Sequence, residues 1–275
     1  MRHPGIAWLL DLTRSVSRVG RGVATGIDRV EAAWLDHLLA APEPAQALVR
    51  AAPGFVLLDR GGMAALRDRL RGRVPWGPAD ALARLHLRQG PARRRAMADL
   101  RRLAQASVWG QGAGALARLL RGRVPAGAVW LNLGHANLRP GVTGGVRRLP
   151  GLRAVVMVHD TIPLDHPHLA SSGQPARFAD MISVAGGADL LLCPSHAART
   201  ALQAHLPADA PPTAVAPPSA WRCPGPTRPR CPRRLQPWPR GRFSLHSARW
   251  SRARTSASFS TCGRGRRAGA IRCRR

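Results

Sequence analysis

A histidine and an aspartate follow a short apolar segment near the middle of the chain. Residues 154–158 are apolar and partly β-branched, and turn residues bound them, which predicts a buried parallel strand. His159 and Asp160 come where that strand would end. Because ligands of open α/β sheets bind beyond the carboxyl ends of the strands, both are candidate catalytic residues. The spacing alone fits an ordinary polar strand end equally well.

A glycine-rich segment near the N-terminus contains further candidates. Residues 5–12 predict a first buried strand, and residues 26–40 have the periodicity of a helix. Gly22, Thr25 and Gly26 lie at the approach to that helix, where the unpaired N–H groups of its first turn would form a cradle for an anion. The glycine spacing is one residue longer than the dinucleotide-binding fingerprint, so the motif is weak. Plain loop glycines are the alternative.

Two other polar side chains are candidate binding residues because of their positions in or just before predicted helices. Arg29 lies near the start of the helix over residues 26–40 and is a candidate for contact with an acidic group. A solvated surface arginine is the alternative. Ser195 precedes a predicted helix over residues 196–206, where its hydroxyl can accept from the first free N–H groups. We expect Ser195 to act as a helix cap first and as a ligand second.

Apolar segments alternate with helical periodicity over residues 1–216. The predicted strands after the first are residues 54–58, 126–133, 153–158, 189–193 and 213–216. The predicted helices are residues 26–40, 91–106, 174–185 and 196–206. This alternation predicts an α/β fold, namely a Rossmann-like parallel sheet with helices on both faces.

The positive charge is concentrated at the C-terminal end of the chain. The net charge is +29, and residues 217–275 hold 16 of the arginines and no acidic residue. Every basic residue is Arg, a bias typical of a GC-rich coding sequence. The composition of residues 217–275 predicts a disordered Arg/Pro-rich tail. Binding of nucleic acid or another polyanion through this tail is one functional hypothesis, and such binding would weaken steeply with salt.

Neither a metal site nor a membrane span is indicated. The 5 cysteines form no CxxC pair, and we expect no metal. No segment reaches the roughly 18 apolar residues of a membrane-spanning helix, so a cytoplasmic location is expected. Residues 91–106 predict a basic amphipathic helix, which would permit peripheral contact with the inner face of a membrane. A solvated basic face over an apolar core is the favoured interpretation.

Three separated motifs resemble a known family. They are TGIDRVE at residues 25–31, VHDTIPL at 158–164 and ADLLLCPS at 188–195. Together they resemble the N-terminal half of bacterial group 1 (family 4) glycosyltransferases, which have the two-domain GT-B fold. The resemblance implies transfer of a sugar from a nucleotide-sugar donor to a hydroxyl of a glycan or lipid-linked acceptor, as in polysaccharide biosynthesis. It implies no cofactor, because the nucleotide sugar is a substrate, and no specific nucleic-acid partner.

The resemblance also implies roles for the candidate residues. Gly22, Thr25 and Gly26 would approach the cleft between the two domains, where backbone N–H groups could meet a phosphate or the acceptor. His159 would hydrogen-bond the transferred sugar or the acceptor hydroxyl, since imidazole is suited to this role near neutral pH. Asp160 would orient His159 or hold the loop.

The tail suggests a frameshift near residues 217–218. Residues 245–263, back-translated with GC-rich codons and translated from the third base, can give ALGTLEPRKNIGFLLDVW. Residues 218–225 can give PLGVAVPG at the same offset. The two strings resemble the end of the first domain and the opening of the second in the same family. We therefore expect residues 1–216 to form the acceptor-side domain of a truncated, inactive transferase. A pseudogene product without function is the remaining hypothesis.

Overall fold

The structure, a computed structural model, describes residues 6–85 and 89–216. Residues 217–275 lie outside the described residues, and so do the predictions of a disordered, out-of-frame tail. Of the first predicted strand, residues 5–12, the structure forms residues 8–11 as a strand.

Eight strands form one sheet in the order β4-β3-β2-β1-β5-β6-β7-β8. Their bounds are β1 Trp8–Asp11, β2 Ala45–Ala51, β3 Gly54–Leu58, β4 Ala106–Trp109, β5 Val129–Asn132, β6 Arg153–Met157, β7 Leu190–Cys193 and β8 Thr213–Val215. Strand β1 pairs in parallel with both β2 and β5, and the strands from β5 to β8 are parallel to one another. The sheet is therefore mostly parallel, as predicted.

The parallel arrangement is interrupted at one side of the sheet. Strand β3 pairs antiparallel with β2, and β4 pairs antiparallel with β3. Strands β2 and β3 follow each other with only Ala52 and Pro53 between them, and so short a connection permits an antiparallel pair but no crossover. Neither β2 nor β4 was among the predicted strands.

Within residues 6–85 and 89–216, ten α-helices connect or flank the strands. Their bounds are α1 Thr13–Ser17, α2 Gly26–Ala40, α3 Arg60–Leu70, α4 Ala81–Leu85, α5 Pro91–Leu103, α6 Ala113–Leu120, α7 Pro140–Val146, α8 Ile162–Asp165, α9 Gln174–Ala185 and α10 His196–Gln203. A 3₁₀ turn spans Pro167–Leu169. Among the residues with coordinates described here, no helix has the length and apolar character needed to cross a membrane.

Helices pack on both faces of the sheet, as the alternation predicts. Successive residues of a strand point to opposite faces. On one face, Leu9 of β1 belongs to an apolar cluster that includes helix residues Leu116, Val146, Ile182 and Leu202. On the other face, Leu10 belongs to a cluster that includes Val16, Leu35, Met63 and Met97. The sheet is thus a central layer between two helical layers.

The arginines of α5 hold a neighbouring segment of the chain. Arg95 donates to the carbonyl oxygens of Trp76 and Gly77, and Arg101 forms an ion pair with Asp80. Arg102 pairs with Asp99 of its own helix and donates to the Pro78 carbonyl. Arg95 and Arg102 are exposed and the apolar face of the helix is buried, which agrees with the favoured interpretation, and these arginines in addition stabilise residues 76–80.

Candidate functional site

The carboxyl ends of three adjacent parallel strands meet at the centre of the sheet. Asp11 is the last residue of β1, His135 follows β5, and His159 follows β6. The strand order also reverses here, because β2 lies on one side of β1 and β5 lies on the other. Open α/β sheets bind ligands at such a switch point. We call this region the carboxyl edge, and it is the candidate functional site.

His135 and His159 lie side by side, and each ring hydrogen-bonds a backbone carbonyl group at the end of the strand that the other histidine follows. Nε2 of His159 lies 2.8 Å from the carbonyl oxygen of Leu133, at the end of β5. Nε2 of His135 lies 2.6 Å from the carbonyl oxygen of Met157, the last residue of β6. The ring centroids are 5.3 Å apart. Because a carbonyl oxygen only accepts, each neutral ring carries its proton on Nε2 and a lone pair on Nδ1.

Both imidazoles are neutral near pH 7. Burial lowers the pKa of His135 to about 4, and the neighbouring His159 ring adds to the effect. Burial also lowers the pKa of His159, although its hydrogen bond to Leu133 opposes this. A neutral imidazole can accept a hydrogen bond or a proton from a hydroxyl. The pair therefore offers acceptor nitrogens at the carboxyl edge.

The backbone at His135 has a left-handed conformation. Its φ is 63°, a value that residues other than glycine adopt at a cost of roughly 1 kcal/mol or more. The Asn132 side chain stabilises this turn, since its Oδ1 accepts from the His135 N–H at 3.0 Å. The turn is what directs the His135 ring toward β6.

Asp160 holds the loop after β6. Its carboxylate is exposed and accepts from the backbone N–H of Ile162 at 3.2 Å. The His159 ring is oriented instead by the Leu133 carbonyl. Of the two predicted roles for Asp160, the geometry corresponds to holding the loop.

A buried polar network lies at the end of β1. Asp11 is 2% exposed, and its two carboxylate oxygens accept from the Thr13 backbone N–H at 3.0 Å and from the Asn137 amide at 2.7 Å. The same amide group also donates to Thr13 Oγ1. Burial raises the pKa of Asp11, and these hydrogen bonds oppose the rise. The network ties β1 to the segment after β5 and so fixes the carboxyl edge.

Glu31 is a second buried carboxyl group at this edge. It lies on α2, is 1% exposed, and accepts from the backbone N–H of Ser15 at 2.9 Å and from the Ser15 hydroxyl. Burial raises the pKa of Glu31 to about 8, and the charge of Asp11 adds to the rise. Gly134 packs directly against it, because a Cβ there would lie 2.0 Å from Glu31 Oε1. At neutral pH Glu31 is mostly protonated.

Neither buried carboxyl group was predicted from the sequence. The periodicity of α2 predicts a face that contains Ile27, Val30, Trp34 and Leu38. Of these Leu38 is fully buried, and the other fully buried residues of the helix are Glu31 and Leu35. The face is rotated because Glu31 is covered by the segment after β1 and by Gly134. The sequence signal for this burial is the i, i+4, i+7 spacing of Glu31, Leu35 and Leu38, which places the carboxyl group on the same helix face as two leucines.

The glycine-rich segment differs from the predicted cradle. Helix α1 occupies Thr13–Ser17, so a helical turn comes directly after β1. Gly22 is exposed with φ 79°, and Gly26 is the first residue of α2. Thr25 precedes α2, and its backbone N–H donates to Asp28 at 2.7 Å, so this donor is already occupied. Open space surrounds the Cα atoms of Gly22 and Gly26.

Ser195 and Arg29 occupy exposed positions. Ser195 caps α10 as predicted, since its Oγ accepts from the Ala198 backbone N–H at 3.1 Å. Arg29 is exposed on α2 and forms no ion pair with any acidic residue in the described ranges. The structure does not bring either side chain into contact with the histidine pair.

No metal centre is apparent among the residues that have described positions, where no group of three or more His, Cys, Asp or Glu side chains converges. Cys193 is buried at the end of β7, and burial raises the pKa of its thiol to about 11. This thiol is therefore not a nucleophile at neutral pH.

The fold and its carboxyl edge define an α/β protein of Rossmann-like architecture. Comparison with protein-family models, characterised proteins and solved structures finds no match to this chain. The fold class is therefore the level to which the chain is assigned.

Proposed function

We propose that residues 1–216 are the acceptor-side domain of a group 1 glycosyltransferase of hexosyltransferase type. Such an enzyme transfers a sugar from a nucleotide-sugar donor to a hydroxyl acceptor, here a glycan or a lipid-linked glycan. The observation that carries the proposal is the position of His159, which belongs to the VHDTIPL motif and lies at the carboxyl edge, beside the topological switch point between β1 and β5. The mostly parallel sheet between two helical layers supports it.

In this proposal His159 contacts the reacting hydroxyl groups. Its Nε2 is engaged by Leu133, so Nδ1 is the nitrogen that would accept from the sugar or from the acceptor hydroxyl. During transfer, the bond from the anomeric carbon to the diphosphate breaks, and a bond to the acceptor oxygen forms. The acceptor hydroxyl passes its proton to the departing diphosphate, and the nucleoside diphosphate leaves. Asp160 contributes by holding the loop that carries His159.

The glycine-rich segment would face the donor or the acceptor. Gly22 and Gly26 have open space around them, so a phosphate could approach their backbone closely. Thr25 contributes as the N-cap residue of α2, and Arg29 and Ser195 would contribute only as peripheral contacts. We propose a cytoplasmic enzyme with peripheral contact to the inner face of the membrane through a lipid-linked acceptor.

The 275-residue chain is expected to be inactive. In the family that the motifs resemble, the second domain contributes most of the nucleotide-sugar site, and catalysis requires both domains to close over the substrates. The test begins with the nucleotide sequence for ~300 bases past codon 216. A shifted frame that extends into a second domain containing glutamates supports the proposal, and an unambiguous frame without such a domain contradicts it.

The second step measures transfer by the chain in the restored frame. We expect turnover of a nucleotide sugar, and we expect His159→Ala to lower kcat by about 100-fold or more. His37→Ala is the matched control, because His37 is exposed on α2. Equal activity of the two variants would exclude the proposed role of His159. Turnover by the 275-residue chain that is lost in His159→Ala would contradict the truncation.

Polyanion binding by residues 217–275 is a second candidate, favoured by 16 arginines without an acidic residue. Removal of residues 217–275 should then abolish nucleic-acid binding, and raising the salt concentration should weaken it steeply. Binding that persists in the shortened chain would contradict this candidate.

A further inference from the structure

Strand β4 ends the sheet on one side, and its outward side has no partner strand in the part of the chain that the structure describes. On its inward side it pairs antiparallel with β3. The N–H of Gly110 donates to a carbonyl oxygen just before β3, and a Cβ on Gly54 of β3 would meet the Val108 carbonyl oxygen. Because backbone groups alternate along an antiparallel strand, the N–H and C=O groups of Ser107 and Trp109 face outward. We call this outward side of residues 106–109 the β4 edge.

An exposed indole ring lies beside these outward-facing backbone groups. Ala106 and Val108 pack against one apolar cluster of the core. Because side chains alternate along a strand, Ser107 and Trp109 point to the opposite face of the sheet. The indole ring is largely uncovered there, since Trp109 is 72% exposed. Tryptophan is enriched among the residues that contribute most to binding at protein interfaces, so the β4 edge combines unpaired backbone groups with an apolar anchor.

The sequence around β4 lacks the charges and prolines that usually keep an edge strand from pairing. Residues 105–117 contain neither a charged residue nor a proline, although the chain has 43 arginines. Strand β8, at the opposite side of the sheet, differs in this respect. Pro212 comes immediately before β8, and Pro217 follows two residues after it. The two edge strands are therefore protected to different degrees, and β4 is the one that is open to pairing.

A second copy of β4 is complementary to the β4 edge. When two copies pair antiparallel about a two-fold axis between their Val108 residues, Ser107 of each copy comes opposite Trp109 of the other. Each of these opposed pairs exchanges both of its backbone hydrogen bonds, so every outward-facing group of the two residues finds a partner. Side chains of opposed residues lie on the same face, and the small Ser107 side chain leaves room for the indole ring. The same four residues thus supply both halves of the interface.

Charge restricts the surfaces through which two copies of this chain can approach each other. The chain has a net charge of +29, so two copies repel each other over most of their surfaces. The uncharged stretch at residues 105–117 is a surface at which this repulsion is small. The two indole rings would together bury about 300–500 Å² in addition to the paired strands. Because stable complexes bury roughly 1,200–2,000 Å², the dimer should be weak and should depend on concentration.

We infer that the β4 edge pairs antiparallel with the β4 edge of a second copy of this chain, which joins two sheets into one continuous sheet. The pairing extends the antiparallel arrangement that β2, β3 and β4 already have at this side of the sheet. The inference is independent of the proposed sugar transfer, because no residue of β4 has a role there and the test measures association rather than turnover.

The test is sedimentation-velocity ultracentrifugation of the full chain at concentrations up to about 0.2 mM, with a reductant present to prevent disulfides between copies. We expect an equilibrium between monomer and dimer. Trp109→Lys removes the indole ring and brings two positive charges together, so it should raise the dimer Kd about tenfold or more. Ser107→Pro removes an outward-facing N–H that β3 does not use, and it should raise the Kd to a similar extent. Leu169→Lys is the matched control, because Leu169 is 71% exposed in the 3₁₀ turn after β6, and its Kd should equal that of the unmodified chain.

Three results would overturn the inference. They are an unmodified chain that stays monomeric at the highest concentration, equal association of the unmodified chain and Trp109→Lys, and equal loss of association in Trp109→Lys and Leu169→Lys. Hydrogen exchange gives a second measurement, since the outward-facing amides of Ser107 and Trp109 should exchange more slowly at high than at low protein concentration. Exchange at these amides that does not depend on concentration would also contradict the pairing. Where Ser107→Pro fails to fold, Trp109→Lys decides the outcome, because its side chain lies on the surface.

Discussion

Replacement of Glu31 by Gln should change how the stability of the protein depends on pH. Glu31 is buried and accepts from the backbone N–H and hydroxyl of Ser15, and a Gln side-chain oxygen can accept the same bonds. Burial raises the pKa of this carboxyl group from 4.5 to about 8. Between these values the folded state binds more protons than the unfolded state. The stabilisation is therefore complete below pH 4.5 and is lost as the pH rises through 8.

The magnitude follows from the shift in pKa. With 1.36 kcal/mol per pKa unit, the Glu31 contribution to the free energy of unfolding falls by about 3 kcal/mol between pH 6 and pH 9. Glu31→Gln lacks this titration, so its stability should fall less over the same range. The variant should become the more stable protein at high pH, because it no longer has to bury a carboxylate.

Urea denaturation at a series of pH values measures this effect. Glu43→Gln is the matched control, since it makes the same chemical change at a partly exposed position. We expect the control to follow the unmodified protein and Glu31→Gln to diverge from both as the pH rises from 4.5 to about 8. Parallel pH profiles for Glu31→Gln and the unmodified protein would refute the assignment of a protonated Glu31.

Three further substitutions and one measurement of thiol reactivity test the structure. Asn137→Ala should lower the free energy of unfolding by about 2–3 kcal/mol in urea, because it removes the donor to one of the two carboxylate oxygens of the buried Asp11. Gly54→Ala should lower the Tm strongly, since its Cβ would lie 1.8 Å from a β4 carbonyl oxygen, whereas Gly114→Ala should not. Ser195→Ala should cost about 1 kcal/mol of stability in urea as the cap of α10 is lost. The Cys193 thiol should react with a thiol reagent at pH 8 about 100-fold more slowly in folded than in unfolded protein. Mass spectrometry of the peptide that contains Cys193 measures this rate.

The helices and strands that could be predicted are those with clear hydrophobic periodicity or clear residues at their ends. Helices α2 and α9 were predicted with their observed bounds, and so was β3. Pro91 sets the start of α5, although that helix ends at Leu103, before the predicted position. Strand β2 was missed because AQALVRA contains one β-branched residue. Strand β4 was missed because a four-residue strand at the edge of a sheet has little periodicity.

Only part of the candidate site could be predicted from the sequence, because several of its residues come together only through the strand order of the sheet. His159 could be predicted because it ends an apolar run. His135 also follows a predicted strand, but its pairing with His159 could not be predicted, because it depends on β5 and β6 being neighbours, which is a property of the strand order. The same holds for Asp11 and Asn137, which are 126 positions apart in the chain. Residues far apart in sequence acquire their roles from topology, and periodicity does not encode topology.

Burial has opposite consequences for the acids of the carboxyl edge and for Arg50, near the end of β2. It raises the pKa of Asp11 and of Glu31, so it disfavours their negative charge, and Glu31 is mostly neutral at pH 7. It also lowers the pKa of Arg50, but a guanidinium starts from so high a value that it stays charged. The edge is therefore more positive at neutral pH than a count of its acidic and basic residues implies. The burial that makes Glu31 destabilising above pH 8 thus also favours anions at this edge below that pH.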